Sequence, residues 1–290
     1  MRYRVRHVTT YEYGESVSIC HNEARLAPLS TRTQRPLASR IQVEPAAAVL
    51  VEDRDYFGNT VHFFSLEEAH LKLTVTADAE VELSPIETPD LSRSPPWEHV
   101  RARALRDRDP EALRALEFSL EPPGERRLPE LVLYAKQSLL PGRPLLEAVF
   151  DLTRRIHADF RYLPGSTHVG TALEEVFATR QGVCQDFAHL ELAALRAFGI
   201  PACYVSGYVY NAPASCEPRR SGADASHAWI SVWCPELGYV DFDPTNGSVP
   251  RDEHITLARG RDYSDVSPLR GVILGGGRQV VQVAVDVQRV

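Results

Sequence analysis

The chain has 290 residues, 43% of them apolar and 24% charged, which is enough to bury one large core or two modest ones and is not the composition of a disordered chain. A formal net charge of −7 and a pI near 5.8 argue against an electrostatic footprint for nucleic acid. No apolar run is long enough to cross a bilayer, so no membrane partner is expected.

The opening Met1–His7 stretch alternates charged and apolar residues and lacks the apolar centre of a signal peptide. Five cysteines without a C-x-x-C pair leave at least one thiol unpaired in a monomer, which favours a reducing, cytoplasmic setting. From Met1 to about Leu83, β-type runs at 3–13, 39–43, 49–52, 60–66 and 71–83 are separated by Pro, Asn and Gly signals. They predict an antiparallel β-sandwich domain over residues 1–85. Phe57-Gly58-Asn59 reads as a hairpin turn with no part in chemistry.

Prolines 85, 89, 95 and 96 mark a linker. Helical patterns at 97–106, 110–118 and 129–139, broken by Glu121-Pro-Pro-Gly124, make residues 86–143 a helical spacer. A stronger helix at 144–158 opens the third segment, 144–290. Within it Cys184–Phe198 is predicted to be a mostly buried helix closed by Gly199 and Pro201. Strands at 202–210, 226–234 and 239–243 should follow, with a polar loop over 211–225, and Gln279–Val290 should add a last strand to this segment.

Gly182-Val183-Cys184-Gln185-Asp186-Phe187 delivers a cysteine to the first turn of a helix. Free N–H groups and the positive end of the helix dipole there stabilise a thiolate and can hold a developing oxyanion. Taken alone, a cysteine beside an apolar helix is more often an inert buried thiol than a nucleophile. His227 begins the 226–234 strand and Asp243 ends the next. A turn centred on Pro235 brings the two apolar faces together, setting Ala228 opposite Phe242, Ile230 opposite Val240 and His227 directly opposite Asp243. A structural ion pair and an imidazole held by an orienting carboxylate both fit this placement. Cys, His and Asp in this order are the parts of nucleophilic acyl transfer.

The strings GVCQDFAHL at 182–190, GIPACYVSGYVY at 199–210, DASHAWISV at 224–232 and FDPTNG at 242–247 resemble the bacterial transglutaminase-like proteins, also described as cysteine proteases. The β region with its FGN turn and the segments 254–263 and 267–271 are similar to the family's two ends. The resemblance implies an α+β, papain/transglutaminase-like catalytic core after the β-sandwich domain. It also implies a catalytic triad of Cys184, His227 and Asp243. Peptide or isopeptide-like hydrolysis is the expected activity, with transamidation or a non-catalytic binding module as alternatives. The expected partner is a peptide or protein substrate.

No cofactor is expected. The same three residue types ligate zinc, but their spacing lacks a short chelating pair. Cys203, Cys216 and Cys234 read as buried or incidental thiols, and His189, off the Cys184 face of its helix, as packing or surface. Asp186 is expected to cap the helix start, although substrate contact is also open. Trp229 shares the His227 face, as cleft wall or plain core. Gly275-Gly-Gly277 precedes a strand and is no phosphate loop.

Overall fold

The computed structural model describes residues 1–85, 89–121, 127–211 and 226–290. Most of the predicted polar loop, with Cys216 in it, and the Pro-Pro-Gly segment after Glu121 lie outside the described residues.

The chain opens with β1 (Arg2–Ala24), β2 (Gln34–Glu44), β3 (Val49–Arg54), β4 (Thr60–Leu66) and β5 (His70–Leu83). Strand β1 runs 23 residues and buries alternate side chains, beginning with Tyr3, Val5 and His7, as the period of two dictates. Its register explains the shape of the domain. Residues 2–12 pair with β5 in descending order, and 20–24 continue the descent along β4, with an irregularity between Glu12 and Val17. Strands β2 and β3 run along β5 and β4 in the same continuous way. The predicted sandwich is therefore a single antiparallel sheet that bends across its middle. Ile41, Leu73 and Val75 of one half share a core with Cys20, Phe64 and Leu66 of the other.

The helices α1 (Trp97–Arg106), α2 (Pro110–Phe118), α3 (Pro129–Lys136) and α4 (Leu145–Asp159) follow. Asp109 caps α2 by accepting the N–H groups of Glu111 and Ala112 at 3.1 and 3.0 Å, which offsets donors the helix leaves free. Two short strands, β6 (Arg161–Tyr162) and β7 (Gln181–Gly182), pair in parallel around α5 (Leu173–Thr179). Next come α6 (Cys184–Arg196), β8 (Ala202–Val209), β9 (Ser226–Cys234), β10 (Gly238–Phe242) and β11 (His254–Gly260). They form a four-stranded sheet in the order β10-β9-β8-β11. Ala228, Ile230 and Val232 turn one face of it to Phe187, Leu190 and Ala194 of α6, and α1, α3 and α4 enclose the same core.

After α7 (Tyr263–Val266) the chain returns as β12 (Leu269–Gly275) and β13 (Gln279–Arg289). Both pair with β1. The C-terminal strand expected to extend the catalytic segment thus belongs to the first sheet. Its alternating valines needed a partner strand, and periodicity does not say which sheet supplies it.

The seam between the two sheets is polar as well as apolar. Strand β11 is an edge, and an edge leaves backbone groups unpaired. The Gln34 amide answers Thr256, donating to its carbonyl at 2.6 Å and accepting its N–H at 2.8 Å. Asn59 of the FGN turn does the same for Arg259, at 2.8 Å in both directions. Around these amides Tyr3, Val81, Leu83, Val285 and Val287 pack on Tyr208, Ile255 and Leu257.

Candidate active site

Val183 is extended and Cys184 is the first residue of α6. Asp186 Oδ2 accepts the Val183 N–H at 2.7 Å and the Thr167 hydroxyl at 2.6 Å, so its carboxylate fixes the start of the helix. Gly182 is needed here because a Cβ would lie 2.9 Å from Asp186 Cβ. The intrahelical ladder starts with the Asp186 and Phe187 N–H groups donating to the Val183 carbonyl. The Cys184 N–H lies ahead of it, at the end of the helix where the dipole is positive. Cys184 is half-buried.

His227, near the start of β9, holds Asp243 Oδ2 through Nε2 at 2.8 Å. That fixes the ring and leaves Nδ1 for the thiol. Burial disfavours the charged imidazole, but hydrogen bonds to Asp243 and Cys184 and the charges of both outweigh it, raising His227 to about 10. Burial also works against the Asp243 carboxylate. The bonds and charges of His227 and His254 more than compensate, holding it far below the usual carboxylate range.

Asp243 is fully buried, and its oxygens are saturated with donors. Oδ1 accepts the N–H groups of Thr245 and Asn246 at 2.9 and 3.1 Å. Oδ2 accepts His227, the Asn246 side-chain amide at 2.6 Å and His254 Nε2 at 3.0 Å. A buried carboxylate needs such a set to stay ionised. Ligand atoms of His227, Asp243 and His254 lie within 4.8 Å of one another, but with three donors on Oδ2 the lone pairs a cation would need are already engaged.

The route to this geometry differs from the predicted one. Phe242 pairs with Ile230 and Val240 with Val232, two residues away from the expected register. Asp243 is a diagonal neighbour of His227, not its opposite. The turn spans Cys234–Gly238, where Gly238 takes a φ of 75°. A slip of two conserves the faces, so the parity argument could not detect it, and a diagonal pair is still within reach of an imidazole.

The fully buried Trp229 walls off the pair. It stacks 6.1 Å from His227, meets His254 edge-on at 5.1 Å and donates to Asp241 Oδ2 at 3.1 Å. Gly207 makes room for it, since a Cβ there would come within 2.5 Å of the indole. His189 packs on Tyr204 at 4.9 Å and accepts the Tyr263 N–H at 3.2 Å. Cys203 and Cys234 are buried. Two contributors escaped the sequence reading. Asn246 was visible as an Asx residue beside the aspartate, but nothing local marks His254, which reaches the site through the fold of β11.

Deeper in α6, Glu191 is fully buried and burial pushes its carboxyl well up. Thr153 Oγ1 lies 2.6 Å from Glu191 Oε1 and 2.9 Å from the Val149 carbonyl. A hydroxyl has one proton to give. Both contacts are satisfied when Thr153 donates to Val149 and a protonated Glu191 donates to Thr153.

A cysteine at a helix start facing a histidine–aspartate pair on an antiparallel sheet is the arrangement of the transglutaminase-like, papain-related class. Residues 3–82 match the bacterial transglutaminase-like N-terminal region and residues 134–244 the transglutaminase-like superfamily. The chain is 41% identical over 294 residues to the uncharacterized protein Rv2569c of Mycobacterium tuberculosis, covering 99% of this chain and 92% of that one. It is 32% identical over 190 residues to a protein-glutamine gamma-glutamyltransferase of Pseudomonas aeruginosa, covering 56% of this chain and 27% of that one. The structure of a "putative cysteine protease" from Cytophaga hutchinsonii shares the fold, with a TM-score of 0.75 at 21% identity, over 99% of this chain and 90% of that one. The chain belongs to the bacterial transglutaminase-like family.

Proposed function

We propose that the chain catalyses acyl transfer from amide bonds through Cys184, His227 and Asp243, and that hydrolysis of a peptide or isopeptide-like bond is its main outcome. The observation that carries this reading is the His227 ring, fixed through Nε2 by a buried carboxylate at 2.8 Å and coupled to the Cys184 thiol. His227 takes the thiol proton and the Cys184 sulfur attacks the carbonyl carbon. The Cys184 N–H bonds the oxyanion. As the C–N bond breaks, the imidazolium returns its proton to the departing amine, leaving a thioester. Water then attacks with His227 as base, and collapse of the second tetrahedral intermediate frees the acid and the thiol.

Hydrolysis is favoured because water is always at hand, whereas transamidation requires its exclusion. Transamidation is the second reading, supported by likeness to the Pseudomonas aeruginosa gamma-glutamyltransferase. A peptide or protein substrate in a reducing, cytoplasmic compartment completes the proposal. Its support is the set of free thiols at Cys20, Cys184, Cys203 and Cys234.

The test is the rate of iodoacetamide labelling at Cys184 from about pH 4 to 9, read by peptide mass spectrometry in the wild type and in His227→Ala. Fast labelling below about pH 7 that collapses in the mutant is expected. Labelling that rises only near about pH 8.5, unchanged by the mutation, would mean an ordinary thiol and remove the enzyme reading. On a glutamine-containing peptide, amine incorporation outpacing acid formation would reverse the preference for hydrolysis.

A further inference from the structure

Strand β13 has β1 on one side and, among the described residues, no strand on the other. Open edges are usually protected by charge, proline or a covering loop. This one has neither charge nor proline from Gln279 through Val285. Val280, Val281 and Val283 are 50%, 47% and 53% exposed.

The direction of the backbone groups follows from the register. The Arg278 carbonyl accepts the Gly14 N–H at 2.7 Å, and the Val290 N–H donates to Arg2 at 3.0 Å, so even-numbered residues of β13 turn their polar groups toward β1. Those of Gln279, Val281, Val283 and Val285 therefore face the open edge.

We infer that β13 is a homodimer interface, in which two copies join their β13 strands antiparallel about a two-fold axis through Gln282. The charges select both the partner and the register. Centring on Gln282 sets Arg278 opposite Asp286 of the second copy, on one face of the strand and twice by symmetry. Val281 and Val283 then form hydrogen-bonded pairs across the axis, and Val280 meets Ala284. A two-fold contact requires a self-complementary surface. Here Asp286 of β13 and Arg278, just ahead of the strand, flank an uncharged, valine-rich stretch with opposite charges. The curled sheets of two copies become one continuous sheet.

Gln282 faces its own symmetry mate at a non-hydrogen-bonded position, where Cα atoms lie about 4.5 Å apart, within the roughly 4.4–6.8 Å that a disulfide spans. The test is sedimentation of the full chain together with cysteine crosslinking. The wild type should sediment as a dimer, and Gln282→Cys should form a disulfide with its own symmetry mate under mild oxidation, identified by peptide mass spectrometry. Gln279→Cys, displaced from the axis, should not link to its mate. Arg278→Asp should weaken the dimer roughly tenfold by placing two acids opposite each other, and Arg278→Asp combined with Asp286→Arg should restore it. A wild type that sediments as a monomer at about 100 μM, or a dimer in which Gln279→Cys links as readily as Gln282→Cys, would overturn the inference.

Discussion

His254 Nε2 donates to the Asp243 oxygen that also holds His227, at 3.0 Å against 2.8 Å. The carboxylate thus has a histidine on two sides, one facing the thiol and one from the far edge strand. His254 is 7% exposed; it bonds Asp243 and meets the His227 ring edge-on at 6.1 Å, which makes it a positioning residue. Losing a hydrogen bond to a charged group costs about 1.5–3 kcal/mol. His254→Phe should therefore lower kcat at least about tenfold with little change in KM, and His254→Asn, which keeps a donor, should recover part of it. The pH profile of Cys184 labelling should shift in His254→Phe, whereas an unshifted profile would mark His254 as packing alone.

Stability should depend on pH through His227. Its folded value is raised to about 10, from about 6.5 in the unfolded chain. Its contribution is full below about pH 6.5 and fades as pH rises through about 10. Asp243, depressed in the fold, works in the opposite sense, contributing above about pH 4 and losing that contribution as pH falls. Thermal melts of wild type and His227→Gln between pH 5 and 10 should converge toward the alkaline end. A constant gap would mean that the imidazole is not charged in the native state.

Glu191 predicts the behaviour of an acid that prefers its proton. With its carboxyl raised by burial, the native state is fully stable below the unfolded value near about 4.3 and weakens as pH rises toward the folded value. Glu191→Gln keeps the shape and a donor to Thr153. Its Tm should match wild type near pH 4 and exceed it at pH 8, by about 2–4 °C for each kcal/mol relieved. A lower Tm at pH 8 would show that the charged carboxylate is what the helix needs.

The two amides at the seam can be tested separately. Gln34→Ala leaves the Thr256 N–H without its buried partner and its carbonyl with the Leu29 N–H alone, at 3.0 Å, and an unsatisfied buried group costs about 1–3 kcal/mol. Urea unfolding should show a loss in that range or larger, and Asn59→Ala should do the same through Arg259. Neither change touches the active site, so Cys184 labelling of the remaining folded protein should stay at the wild-type rate.

What was legible in the sequence had a local signature. Cys184 stood at a helix start, and His227 and Asp243 lay on strands whose apolar alternation fixed their faces. The FGN turn was legible as a turn. Its second role, pairing Asn59 with a strand 200 residues away, was not, because an amide's distant partner leaves no local pattern. The β9–β10 register was ambiguous by two for the reason that made its parity reliable. His254 was hidden because its contact is made by the crossing of β11, and β13 found its partner at the opposite end of the chain. Glu191 sits in an apolar helix where composition alone would read it as a surface position.

The pairing of β1 with β12 and β13 makes the catalytic core an insertion within another sheet. During synthesis β1 emerges early and keeps one edge bare while the core is made, and the sheet closes only when the last strands arrive. Contacts of such sequence separation slow folding, and an open strand edge invites wrong pairing while it waits. The core is therefore expected to form before the sheet that frames it. A ribosome-stalled chain ending before β12 should expose an unfinished edge that a chaperone or a second nascent chain could occupy.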